Sequence, residues 1–153
     1  MHRQRDDHGP CMIDGVIVTP LKIIGVPEGD VLHAMKCSDV GFSGFGEAYF
    51  STIKADAIKA WKRHRKMTLN LVVPVGAVRF VIFDDRNGNE SFQEIELSKK
   101  NYCRLTVPPM VWMGFQGRAN MTSMLMNIAN IPHDPGESDG KSLHEIKYNW
   151  SSS

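Results

Sequence analysis

Three cysteines in 153 residues, Cys11, Cys37 and Cys103, are too few and too widely spaced for a disulfide framework. None forms a CxxC pair, which argues against a structural zinc site as well, and the thiols read as those of a reducing, cytoplasmic protein. An excess of either charge is also missing. Eighteen Lys and Arg against seventeen Asp and Glu leave a formal charge of +1, so no field of one sign gathers nucleic acid or a membrane surface. Apolar runs long enough to span a bilayer are absent. The opening MHRQRDDHGPC carries both signs of charge, unlike a signal peptide. Helical periodicity is hard to find, which leaves period-two alternation and turn residues as the organising pattern.

That pattern predicts an all-β chain of one domain, the length being enough for one core and too little for two. Residues 1–11 read as a flexible extension, with His2 and His8 in it rather than in a ligand set. Residues 12–150 read as the folded domain and 151–153 as a disordered tail. Strands are expected over Ile13 to Leu21, broken by Pro20, then over Glu47 to Lys54, Leu69 to Val75 and Val78 to Phe83, the last two joined at Gly76. Val31 to Cys37 fits a strand or a short helix, and Gly41 to Gly46 a mobile loop with aromatic anchors. After an Asn-Gly turn at Asn87-Gly88, Phe92 to Leu97 alternates imperfectly, as if around a bulge. Cys103 to Val107 ends at Pro108-Pro109, which cannot donate to a ladder. Val111 to Phe115 and Ser123 to Ile128 complete the set, and the chain after Pro132 reads as irregular. Short strands at this spacing indicate a jelly-roll or related β-barrel.

The chemistry-bearing residues gather in Trp61-Lys62-Arg63-His64. Lys62 and His64 are two apart, so on a strand they share a face and one pocket, His64 as a base near neutral pH and Lys62 as partner base or as an oxyanion or phosphate contact. The competing reading is a solvated, basic strand end. Arg63, Arg65 and Lys66 alternate against the pair and read as an outer, solvated face. Arg79 is a lone cation inside or outside the barrel. Arg86 follows Asp84-Asp85 and reads as an ion-pair partner or a ligand contact. Trp61 and Trp112 are either stacking platforms for a base or sugar ring or core residues. Tyr49 lies on the preceding strand and is a candidate acid. His33, His133 and His144 are scattered, so no metal site and no cofactor are expected, and the nine methionines read as core filling.

Taken in order, Trp61 with His64, Val75-Gly76, Asp84-Asp85-Arg86, the run from Val107 to Gly114, Met126-Asn127, Pro132 to Pro135 and Tyr148-Asn149-Trp150 resemble the cupin-fold (RmlC-like) nucleotide-sugar epimerases and isomerases. These are typified by dTDP-4-dehydrorhamnose 3,5-epimerase and the dTDP-sugar 3,4-ketoisomerases. The resemblance implies a homodimer with strands exchanged or paired between subunits, and a sugar nucleotide in the barrel mouth. It also implies proton abstraction beside a ketone, which needs a base, an acid and a group that steadies the enolate. Where relatives read Trp-His-x-His, this chain has Lys62 at the first histidine and His64 at the second. The family's lysine falls at about Leu69, its tyrosine acid near Met126 and a late histidine at Met113. The resulting expectation is an isomerase or epimerase acting on a nucleotide-linked 4-keto-deoxysugar, with His64, Lys62 and Tyr49 catalytic and Trp61, Arg79, Trp112 and Arg86 binding substrate. The alternative is a non-catalytic cupin that binds a sugar nucleotide or carbohydrate.

Overall fold

A computed structural model describes residues 12–151; the expected N-terminal extension, with His2, His8 and Cys11, and the last two serines of the tail lie outside the described residues. The strands are β1 Ile17–Pro20, β2 Ile23–Ile24, β3 Val31–Leu32, β4 Glu47–Ile53, β5 Ile58–His64, β6 Leu69–Val75 and β7 Ala77–Asp84. They continue with β8 Ser91–Ser98, β9 Cys103–Val107, β10 Trp112–Gly117, β11 Ser123–Ala129 and β12 Ser138–Gly140. Two five-stranded sheets have the orders β1-β9-β6-β11-β4 and β12-β5-β10-β7-β8, and β2 pairs β3 in a separate hairpin. From β4 onward successive strands alternate between the two large sheets except for the β7–β8 hairpin, and the pairs within each sheet are antiparallel, as in a jelly roll. No helix among the described residues is long and apolar enough to cross a membrane.

The core lies between the sheets. Leu69, Leu71 and Val73 of β6 and Leu105 and Val107 of β9 face Val78, Phe80 and Ile82 of β7 and Ile95 and Leu97 of β8. A second apolar cluster covers the outer face of the β5-containing sheet: Trp61, Val81, Phe83 and Trp112 against Ile146 and Trp150 of the C-terminal segment. β7 is thus buried on both faces, which is why Val78 to Phe83 carries no polar alternation apart from Arg79. Gly76, at φ +82°, makes the β6–β7 turn where a Cβ would lie 2.1 Å from the Ser123 hydroxyl, so no other residue fits there.

Several expectations are corrected. Val31 to Cys37 forms only the two-residue β3, and the C-terminal segment gains β12 and two short 3-10 turns. β8 pairs with β7 without a register shift. Its supposed bulge is Gln93, an inward polar residue whose Oε1 accepts the Ile13 amide at 2.9 Å, so the alternation is regular. Register shifts occur instead between β10 and β5 and between β11 and β6.

Candidate active site

Cross-strand pairing fixes which β5 side chains enter the barrel. Met113 opposes Lys62 and packs against the inter-sheet core, whereas Trp112 opposes Arg63 and belongs to the outer cluster. Directly opposed residues share a face, so Lys62 and, two residues on, His64 face inward. Arg63 faces out, its guanidinium 4.8 Å from the Trp112 ring centroid. The register shift then does something simple parity does not: Ala60 and Trp61 both pack on the outer side, opposite Gly114, and Lys59 falls back to the inner face opposite Phe115. Gly114 is needed for this packing, because a Cβ there would lie 2.6 Å from the Ala60 Cβ and 3.0 Å from the Trp150 ring. Lys59, Lys62 and His64 therefore form one inner row. Lys59 was missed by sequence reading, since only the bulge brings it to this face.

Lys59 Nζ donates to the Thr52 carbonyl at 2.8 Å and lies 5.8 Å from the Phe115 ring centroid. This contact joins β5 to β4 across the gap between the sheets. From this contact Tyr49 is three residues back along β4 and Lys62 three residues on along β5. Tyr49 shares the inward face of Ile53 and is directly opposed to Asn127 of β11, whose Nδ2 donates to the Tyr49 hydroxyl at 3.0 Å. The Lys62 side chain makes no hydrogen bond or ion pair among the described residues, and the residue is solvent-exposed.

His64 is held differently. Its Nδ1 bonds the Glu137 carboxylate, and Glu137 is buried. The other Glu137 oxygen accepts the backbone amides of Lys66 and Met67 at 3.2 and 3.3 Å. Burial pushes this carboxyl up, but the His64 bond and those amides outweigh it and hold it below the ordinary glutamate value. An anionic Glu137 fixes the proton on Nδ1 and leaves Nε2 as the nitrogen that exchanges a proton. Sequence reading missed Glu137 as well. It lies 73 residues from His64 and reaches it because β12 pairs with β5, Ser138 opposite His64.

The strap that carries Glu137 is fastened by charge. Asp139 accepts from Arg63 at 2.8 Å and also bonds Arg65. The hydrogen bonds of Arg65 and then Arg63 hold its carboxyl at about 2. A depressed carboxyl contributes stability above its ordinary value and loses it as pH falls through the folded one. Amide protection of residues 137–141 is therefore expected to persist down to the ordinary aspartate value of 3.8 and to fall as pH approaches about 2. In Asp139→Asn hydrogen exchange should already be faster at neutral pH.

The four expected binding residues lie elsewhere. Trp61 is 3 % and Trp112 2 % exposed, both on the outer side of the sheet, where Trp61 Nε1 donates to the Leu143 carbonyl at 3.3 Å. They are core, and the alternative reading of them holds. Arg79 also points outward and is buried beneath the C-terminal segment, its Nη2 donating to Gln116 at 2.6 Å and to the Trp150 carbonyl at 2.5 Å. Arg86 bonds Asp84 at 2.9 Å and the Asp14 carbonyl at 2.6 Å, an ion pair at the strand end. Among the described residues no three His, Cys, Asp or Glu side chains converge as a metal-ligand group.

An oriented imidazole and two lysines thus share the inner face of β5 with apolar Met113 and Phe115 opposite, and β4 of the facing sheet presents a phenol on its own inner face. Such a set can take a proton from carbon, hold an anion and return a proton from a second direction. No protein-family model and no curated protein matches the chain. Solved structures do. A dTDP-sugar isomerase from Desulfovibrio desulfuricans G20 is 33% identical, with 92% of this chain and 94% of that one covered and a TM-score of 0.88. A sugar 3,4-ketoisomerase from Thermoanaerobacterium thermosaccharolyticum in complex with TDP is 20% identical over 84% of this chain and 89% of that one, with a TM-score of 0.69. A dTDP-6-deoxy-D-glucose-3,5-epimerase from Legionella pneumophila Philadelphia 1, in complex with dTDP-4-keto-L-rhamnose, is 16% identical over 88% and 77%, with a TM-score of 0.76. The last two carry the fold alone; on the identity and coverage of the first, the chain belongs to the dTDP-sugar isomerase family of RmlC-like cupins.

Proposed function

We propose that this protein isomerises or epimerises a nucleotide-linked 4-keto-deoxysugar by removing a proton from the carbon next to the ketone. The observation that carries the reading is the inward His64 bonded to buried Glu137 on the same strand face as Lys59 and Lys62. His64 takes the proton through Nε2 while Glu137 balances the imidazolium that results. Lys62 holds the enolate oxygen, and Lys59 meets a phosphate of the nucleotide arm at the rim. Tyr49 returns a proton from the β4 side, the place in the fold that compensates for the missing late tyrosine. The relatives' ligands support this class: one is bound to TDP and another to dTDP-4-keto-L-rhamnose. Incubation with dTDP-4-keto-6-deoxyglucose is expected to give a 3- or 5-epimer or a 3-keto isomer, resolved by NMR of the purified product. Saturable dTDP binding with unchanged sugar would contradict the reading and favour a binding module.

The same proposal includes a homodimer in a cytoplasmic setting. The β2–β3 hairpin joins neither large sheet, and Ile23, Ile24, Val26 and Val31 on and beside it are 38–51% exposed. A projecting apolar hairpin of this kind suits burial against a second copy. Cys37 and Cys103 are free thiols, compatible with a reducing compartment. Sedimentation should give twice the chain mass, and Ile24→Asp should shift it toward one.

A further inference from the structure

Asn127 differs from Asn70 of β6 and from Asn130, just past β11, in carrying an amide oxygen without a partner. Asn70 is satisfied at both ends: Nδ2 donates to the Gly41 carbonyl at 3.0 Å, and Oδ1 accepts the Thr106 hydroxyl at 2.6 Å. Asn130 Oδ1 accepts the Thr68 amide at 2.8 Å and so ties β11 to the loop before β6. Asn127 is 2 % exposed, yet its Oδ1 is buried with no partner. Its inward neighbours, Leu125 and Ala129 along β11 and Leu71 across from it on β6, are all apolar core. A leucine has nearly the shape of an asparagine, would pack among them and would leave nothing unsatisfied. Packing therefore gives no reason for an amide here, and a buried acceptor without a donor works against stability. Tyr49 is itself 42% exposed, so the amide is not needed to bury the ring. A group that costs stability and serves no local structure belongs with those that proteins keep for function.

We propose that Asn127 is a positioning residue of the mouth, holding the Tyr49 phenol in the orientation from which it gives its proton to the substrate. This rests on the reading of the mouth as a proton-transfer site. The Nδ2–H of Asn127 occupies a lone pair of the Tyr49 oxygen, so the phenolic hydrogen points away from β11 and is free for a ligand. In the return step the Tyr49 O–H bond breaks as a C–H bond forms on the enolate carbon. The phenolate left behind keeps its hydrogen bond from Asn127 and takes a proton back from solvent. Asn127 touches neither the ligand nor the reacting atoms; it acts through Tyr49.

The test is Asn127→Leu, alone and with Tyr49→Phe, each read for thermal stability, for dTDP affinity and for kcat against KM. With wild type active, the expected result for Asn127→Leu is an equal or higher Tm, unchanged dTDP affinity and a loss in kcat of about 10²-fold, the scale of a misplaced catalytic group. In the Tyr49→Phe background the same change should cost nothing further. Tyrosine-labelled protein gives a readout that needs no substrate: of the three tyrosines, only the Tyr49 ring resonance should move in Asn127→Leu, with Tyr102 and Tyr148 unchanged. A lower Tm with kcat intact, a loss that persists in full beside Tyr49→Phe, or an unmoved Tyr49 resonance would each overturn the proposal. A wild-type protein without turnover would instead remove the functional reading beneath it, which separates the two failures.

Discussion

His64→Ala should reduce kcat on the ketosugar by about 10²–10⁴-fold, the usual contribution of a positioned general base, while dTDP affinity stays nearly unchanged. The split follows from where the residue sits. His64 is at the inner end of β5 with its side chain 11% exposed and its Nδ1 committed to Glu137, so its contact with a ligand is through the exchanging nitrogen alone. The nucleotide phosphate is assigned to Lys59, which alanine at position 64 leaves in place. The variant should also fold, because Glu137 keeps its two backbone amide donors. Steady-state kinetics beside calorimetric titration with dTDP measures both quantities. Equal loss of kcat/KM and of dTDP affinity would make His64 a binding residue instead. Glu137→Gln should fall between wild type and His64→Ala, since the imidazole keeps a hydrogen-bond partner but loses the negative charge that balances its protonated form.

Trp150→Ala should lower stability by about 3–5 kcal/mol, the cost of truncating a buried tryptophan. Trp150 is 7 % exposed, with its ring 5.4 Å from Trp61 and 4.8 Å from Tyr148, and it packs on the bare backbone of Gly114. The guanidinium of Arg79 lies 6.0 Å from the ring centroid and bonds the Trp150 carbonyl. Removing the indole leaves a cavity over the outer face of the sheet and loosens the packing under which Arg79 is buried. All of these contacts are on the side away from the mouth. Chemical denaturation should therefore show the loss, while kcat of the folded enzyme below its transition stays within a few-fold of wild type. A large loss of kcat at wild-type stability would place Trp150 in the chemistry and contradict the two-sided division of β5.

How far the sequence revealed this arrangement can be read along β5. The two-residue spacing of Lys62 and His64 was enough to place both on one face, because that stretch of the strand is regular. Lys59 was hidden, since parity sends it to the other face and only the register shift opposite Gly114 returns it. The tryptophans were ambiguous for a different reason. Trp61 and Trp112 are apolar residues on an outer face, and nothing local to them announces that residues 143–150 fold back as a lid of Ile146 and Trp150. Glu137 was silent because a carboxylate becomes a histidine's partner only through pairing of a three-residue strand whose sequence, Ser-Asp-Gly, has no β signature. The all-β jelly roll itself was legible, because strand alternation and turn residues are local signals. The misread bulge in β8 shows the limit of alternation: Gln93 is polar yet faces inward to receive the Ile13 amide.

Hydrogen exchange at the sugar tests the central claim most directly. With dTDP-4-keto-6-deoxyglucose in D2O, proton NMR should show loss of the C3 or C5 hydrogen in the presence of wild-type protein, with the rate reduced by orders of magnitude in His64→Ala. Retention of both hydrogens at full occupancy of the wild-type protein by the nucleotide sugar would contradict enolisation in this mouth.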